Sequence, residues 1–115
     1  MTPETMVLDR VTRVPGVRGA LLASAGDGLV VAEQLMDGVD GRAAAALAGA
    51  LVGRLLRTTG AAGLESPLFV HLRAEEGSLL AAPAAGDLVL VAVVGPDANI
   101  GLARLEMLDA AGRLG

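Results

Sequence analysis

Apolar residues recur at helical spacing at the start of the chain, at Val7, Leu8, Val11 and Val14. Thr2 stands where an N-cap belongs, Pro3 suits the first helical position, and Pro15-Gly16 ends the run, so a helix is predicted over about 3–13. The pattern then changes. Val17 to Ser24 and Leu29 to Gln34 read as strands, and Ala25-Gly26-Asp27-Gly28 between them tolerates the positive φ of a hairpin turn. Met36 to Val39 reads as a loop. Asp40 is a candidate N-cap for a long Ala- and Leu-rich helix from Gly41 to Thr59, with Gly60 suited to the left-handed position that follows.

Three further strands are predicted, Pro67 to Ala74, Ser78 to Ala82 and Leu88 to Val94, separated by Glu75-Glu76-Gly77 and by Pro83 with Gly86-Asp87. Leu88 to Val94 carries no polar alternation, which predicts a central strand covered on both faces. Pro67 lacks a backbone donor and predicts an edge. Gly95-Pro96-Asp97 turns into a last helix over about 98–112, whose buried stripe is Ile100, Ala103, Met107, Ala110, Ala111 and Leu114. Leu102 and Leu105 fall off that stripe and could cover the first helix or meet a partner; packing against the first helix is expected. The resulting order, α-β-β-α-β-β-β-α, is an α+β fold in one domain spanning 1–115.

The long helix is apolar on two sides. At 100° per residue, Leu47, Ala48, Leu51, Val52, Leu55 and Leu56 share an arc expected to lie on the sheet. Ala46, Gly49, Ala50 and Gly53 form a smooth strip on the other side, with Arg42 and Arg57 near its ends and Arg54 at a border. A glycine inside a helix costs about 1 kcal/mol relative to alanine. Two on one strip are expected to admit the close approach of another backbone, from a symmetry-related helix or a partner protein. The strand after this helix alternates Leu68, Val70 and Leu72 with Phe69, His71 and Arg73. An apolar edge of this kind is hazardous unless something pairs with it, and pairing with its twin across a two-fold would build a ten-stranded sheet. The expected dimer or partner interface is therefore Arg42, Ala46, Gly49, Ala50, Gly53, Arg54, Arg57, Leu68, Val70 and Leu72.

Composition narrows the function classes. The chain has 115 residues, 53% hydrophobic, with Phe69 its one aromatic side chain, so the core must be built from Leu, Val and Ala. Without cysteine, neither disulfides nor thiolate chemistry arise. The net charge of −4 and the lack of lysine, tyrosine and tryptophan argue against nucleic-acid binding. No apolar run reaches the roughly 20 residues of a membrane span, and the acidic start Met1-Thr2-Pro3-Glu4-Thr5 is unlike a secretory signal, so no membrane insertion and a cytoplasmic location are expected.

Val14-Pro15-Gly16-Val17-Arg18-Gly19-Ala20-Leu21-Leu22 with Asp27-Gly28-Leu29-Val30-Val31-Ala32, then Gly86-Asp87-Leu88-Val89-Leu90-Val91-Ala92, then Ala98-Asn99-Ile100-Gly101-Leu102-Ala103-Arg104-Leu105-Glu106-Met107, together resemble the Roadblock/dynein light-chain family, including its bacterial gliding-motility-type GTPase regulators. The resemblance implies a five-stranded antiparallel sheet with the long helix on one face and the terminal helices on the other. It implies a homodimer through the long helix and the strand after it. It also implies a regulatory partner for a small Ras-like GTPase, or a scaffold subunit without effect on GTP hydrolysis. A small-molecule sensor on a similar sheet is a third reading.

Chemistry of the chain's own is not expected. There is no G-x-x-x-x-G-K-[ST] loop, and Gly26-Asp27-Gly28 precedes a strand rather than a helix, so no nucleotide cofactor is expected. His71 is the single histidine and has no cysteine to join it in a metal site. Ser24, Ser66, Ser78, His71 and several aspartates supply the residue types of a triad without a G-x-S-x-G elbow to bring them together. Glu75, Glu76 and Asp87 read as solvated turn residues. An arginine can stabilise a transferring phosphoryl group, but contact with an acidic partner surface is the favoured expectation for Arg42, Arg54 and Arg57, beside plain solubility or, for Arg54 and Arg57, the dipole at the helix C-terminus.

Overall fold

The computed structural model describes residues 2–114. Its elements are α1 (Pro3–Thr12), β1 (Val17–Ser24), β2 (Val30–Leu35), α2 (Gly41–Ala61), β3 (Val70–Ala74), β4 (Gly77–Pro83), β5 (Leu88–Val94) and α3 (Ile100–Gly112). The strands form one antiparallel sheet in the order β2-β1-β5-β4-β3. The uninterrupted apolar strand β5 is central, as its sequence requires, and the strand that follows Pro67 is an edge.

Two of the helix starts are fixed by the residues expected to cap them. The Thr2 hydroxyl accepts the Thr5 N–H at 3.1 Å, and Asp40 Oδ1 accepts the Ala43 N–H at 3.0 Å. Asn99 does the same for α3, accepting from Leu102 at 3.0 Å, so that helix begins at Ile100 rather than near 98. The long helix also ends later than expected. Gly60 lies within it, and the left-handed conformation falls on Gly63, with φ +75°. Strand β3 is shorter than the predicted run, because residues 67–69 do not enter the ladder.

The sheet separates two cores. On one face α1 and α3 enclose Leu8, Val11, Leu22, Leu80, Leu90 and Met107. On the other, α2 closes over Leu21, Val52, Leu79, Val89 and Val91. An Arg10 clasp to Glu106 and Asp109, extended by Arg113 to Asp109, ties α1 to α3. Leu102 and Leu105 do not cover α1. Both are exposed, Leu105 by 64%, because Ala103, Met107 and Ala110 already fill the space over the sheet.

The phase of α2 differs from the expected one by about 60° at 100° per residue. Its buried side is Gly41, Ala44, Ala45, Ala48, Gly49, Val52 and Gly53, with Leu51, Leu55 and Leu56 half-buried and Leu47 48% exposed. The two glycines therefore face inward.

Candidate functional site

Gly49 and Gly53 do receive another backbone, but it is the chain's own. The β1–β2 turn folds across the middle of α2, and its Gly26 N–H donates to the Gly49 carbonyl at 2.9 Å. A Cβ on Gly49 would stand 2.5 Å from Gly28 Cα and 2.8 Å from the Ser24 carbonyl oxygen. One on Gly53 would stand 2.9 Å from Gly26 Cα. The turn needs Gly26 at φ +93° and Gly28 at φ +67°, and the Ser24 hydroxyl braces it by accepting the Leu29 N–H at 3.1 Å and donating to Asp27. This corrects the expectation that Gly49 and Gly53 line a surface for a partner. Their surface is filled within the monomer.

The other predicted interface residues divide into three groups. Arg42, Ala46, Ala50, Arg54 and Arg57 all lie on the exposed side of α2. Val70 and Leu72 lie on the sheet face that α2 covers, since they pair with Ala81 and Leu79 of that core. Leu72 is nonetheless 41% exposed, because α2 lies over β1, β5, β2 and β4 and leaves the edge strand largely uncovered. Leu68 does not join them. It precedes the ladder and, 74% exposed, lines a shallow groove with Pro83, Ala84, Leu108 and Ala111 on the α3 side.

What lies between α2 and β3 is an open apolar groove of about 420 Å³, lined among others by Ala44, Leu47, Leu72, Leu79 and Val93. Asp40, Glu76 and Ser78 also line it. Leu51 and Leu55 continue from Leu47 at i+4 and i+8 along the same flank of α2. Sequence reasoning missed this row, having assigned all three leucines to the sheet. The inward glycines are the signal that could have found it. Seating them against a backbone turns the helix and brings Leu47 out.

Nothing at this groove resembles a catalytic apparatus. Outside it, on the α3 face of the sheet, His71 Nε2 of β3 lies 2.9 Å from Ser78 Oγ, with no third member of a triad bonded to it among the described residues. Among the described residues no three of His, Cys, Asp and Glu gather as a metal site. The resolved pKa shifts belong to the α1–α3 clasp. Hydrogen bonding to Glu106 raises Arg10, and hydrogen bonding from Arg113 lowers Asp109. The arrangement offers an apolar flank, an open strand edge and a row of arginines, which are the elements of a protein–protein interface.

The Roadblock/LC7 domain model matches residues 4–94, from α1 to the end of β5. The chain belongs to the Roadblock/LC7 domain family. Two proteins of Methanocaldococcus jannaschii, both described as uncharacterized, are similar over most of the chain. One is 34% identical over 108 residues, covering 94% of this chain and 90% of its own length. The other is 32% identical with 94% and 93% covered. Among solved structures, Myxococcus xanthus MglB superposes with a TM-score of 0.85 at 20% identity, covering 99% of this chain and 93% of that one. The gliding protein mglB of Thermus thermophilus gives 0.82 at 22% identity, with 97% and 85% covered. A Roadblock/LC7 domain from Streptomyces avermitilis gives 0.71 at 23% identity, with 92% and 89% covered. These likenesses concern the Roadblock/LC7 fold. Among the described residues no helix is long and apolar enough to cross a membrane.

Proposed function

We propose that this Roadblock/LC7 chain is a cytoplasmic regulatory homodimer that binds a small Ras-like GTPase and modulates its nucleotide cycle. The observation that carries the reading is the partly exposed apolar flank Leu47-Leu51-Leu55 beside the open edge of β3. Both features are self-complementary about a two-fold. Antiparallel pairing of β3 with its copy would satisfy the edge backbone groups, and the facing α2 flanks would cover Leu72 and Val70. The fold likeness to the MglB proteins supports the GTPase half of the proposal, as the family resemblance of the sequence implies it.

In such a dimer the two α2 helices lie side by side and their outer faces form one rigid platform, roughly 30 Å along each helix. A platform of this kind regulates by binding one state of its partner more tightly than the other. The chemistry of hydrolysis stays with the GTPase, and this chain contributes no catalytic residue. The test has two parts. Light scattering should give twice the chain mass. Single-turnover GTP hydrolysis by the small Ras-like GTPase encoded nearest to this chain should change when the dimer is added. A monomer at micromolar concentration removes the dimer. Binding with an unchanged hydrolysis rate converts the regulator into a scaffold.

A further inference from the structure

We infer that α3 carries a second self-association surface, in which the outer stripe of Leu105 and Leu108 packs in parallel against the same stripe of another copy. The inference goes beyond the GTPase proposal and does not rest on it, because α3 lies on the face of the sheet opposite α2. It starts from a helix that is apolar all round. Ala103, Met107 and Ala110 are buried over the sheet, yet Leu102 and Leu105 are exposed and Leu108 is half-buried. A helix with that distribution is ordinarily covered on both sides. The positions also fit a coiled-coil repeat. Written as a heptad, Leu105 is a and Leu108 is d, with Gly101 at the preceding d and Gly112 at the following a. Ala103 and Ala110, both wholly buried, fall at f, so the a/d seam points directly away from the sheet. Arg104 is g and Asp109 is e.

The two flanks of the seam differ in charge and in height. On the e flank α1 lies beside α3, tied to it by Arg10 through Glu106 and Asp109. On the g flank the surface drops to the groove of Leu68, Pro83 and Ala84. There the Arg104 guanidinium lies over the Phe69 ring, 5.8 Å from its centroid, and makes no ion pair among the described residues. Asp109 has acceptor capacity to spare. Its bonds from Arg10 and Arg113 both fall on Oδ2, and a carboxylate offers about four acceptor sites. An antiparallel pair sets like flank against like, with the two Arg104 side chains together and α1 against α1. A parallel pair, its two-fold running along the helices, sets g against e. Each Arg104 then meets the Asp109 of the other copy, and each raised flank meets a low one. One chain thus carries both halves of the match, which selects a second copy as the occupant and fixes its orientation. A membrane-lying helix would border its apolar stripe with cations, whereas Glu106 and Asp109 border this one. The seam is only 13 residues long, roughly 20 Å. Its contact therefore falls below the roughly 800 Å² per partner of a standard interface. It forms at high local concentration and leaves the micromolar state of the protein unchanged.

The chain has no cysteine, so single cysteines report the pairing directly. In parallel register residue 105 faces residue 105 of the other copy within disulfide reach, whereas in antiparallel register it faces residue 108. The experiment follows disulfide formation in Leu105→Cys, in Leu108→Cys and in a control, Met36→Cys, whose site at the far edge of the sheet is 62% exposed against 64% for Leu105. Each variant is first checked as folded by circular dichroism. Pairing raises the effective concentration of the two thiols, so at about 500 µM chain both α3 variants should cross-link at least about tenfold faster than the control. Adding Arg104→Glu reverses two charge pairs in each assembly and should slow the α3 variants about three- to thirtyfold. Sedimentation of the wild type should show its mean mass rising between about 20 µM and about 1 mM, and the Leu105→Glu protein should show no such rise. Cross-linking of the α3 variants no faster than the control overturns the inference, as does a wild-type mass that stays flat. A mixture of the two α3 variants that cross-links with each other faster than either does with itself assigns antiparallel pairing and also overturns it. Unchanged rates with Arg104→Glu overturn the charge match that sets the orientation.

Discussion

Alanine at Gly49 should destabilise this protein, and alanine at Gly60, eleven residues on in the same helix, should stabilise it. Helix propensity favours both changes by up to about 1 kcal/mol. They differ in what the new methyl group meets. At Gly60 nothing lies within 4 Å. At Gly49 it would meet Gly28 Cα at 2.5 Å, the Ser24 carbonyl oxygen at 2.8 Å and the Gly28 nitrogen at 2.9 Å, all backbone atoms that no rotamer change can move. The β1–β2 turn must lift off the helix, at a cost of about 1–3 kcal/mol for the overlap and about 1 kcal/mol for the Gly26 hydrogen bond to Gly49. With the propensity gain subtracted, Gly49→Ala should be destabilising by about 1–3 kcal/mol, and Gly60→Ala stabilising by about 0.5–1 kcal/mol. The first corresponds to a Tm lower by about 4–12 °C for a chain of this size. Urea unfolding followed by far-ultraviolet circular dichroism, at one fixed protein concentration so that association does not move the midpoint, measures both. A Gly49→Ala protein as stable as the wild type would refute the inward seating of the glycine. So would one that keeps its midpoint and loses only its partner, as an outward-facing glycine strip would have it.

Three further outcomes follow from the same geometry. Leu72→Asp should leave the fold intact, because the side chain is half in water, yet yield a monomer by light scattering; a dimer of undiminished stability would remove β3 from the interface. Asp40→Ala should cost about 1 kcal/mol in urea unfolding through loss of the cap on Ala43, and a change below a few tenths would contradict that role. Asp109 is held below the ordinary carboxylate range, chiefly by the Arg113 hydrogen bond and then by the Arg10 charge. Its folded-state pKa is depressed, so its contribution is complete above the unfolded value near 4 and is lost as pH falls through the lower folded value. The protection factors of the α1 amides, taken against intrinsic exchange at each pH, should therefore fall below about pH 4 in the wild type and show a smaller acid step in Asp109→Asn, identical profiles being the contrary result.

Much of the architecture was legible along the chain because it depends on single residues in local settings. Leu88 to Val94 offers no polar face to water and must be central, Pro67 marks the approach to an edge, and Thr2 and Asp40 cap the helices they precede. The open apolar edge of the candidate site was legible for the same reason, through the alternation of Val70 and Leu72. The orientation of α2 was not. Leucine and alanine both accept burial, so a helix apolar on two sides has no phase of its own. The phase is decided when the β1–β2 turn, far away in sequence, brings Gly26 and Gly28 against the positions that lack a Cβ. That contact turns Gly49 and Gly53 inward, pushes Leu47 towards the groove and leaves the arginines on the outer face. Sequence determined which residues were small enough for a close approach, and only the tertiary structure decided which backbone made it.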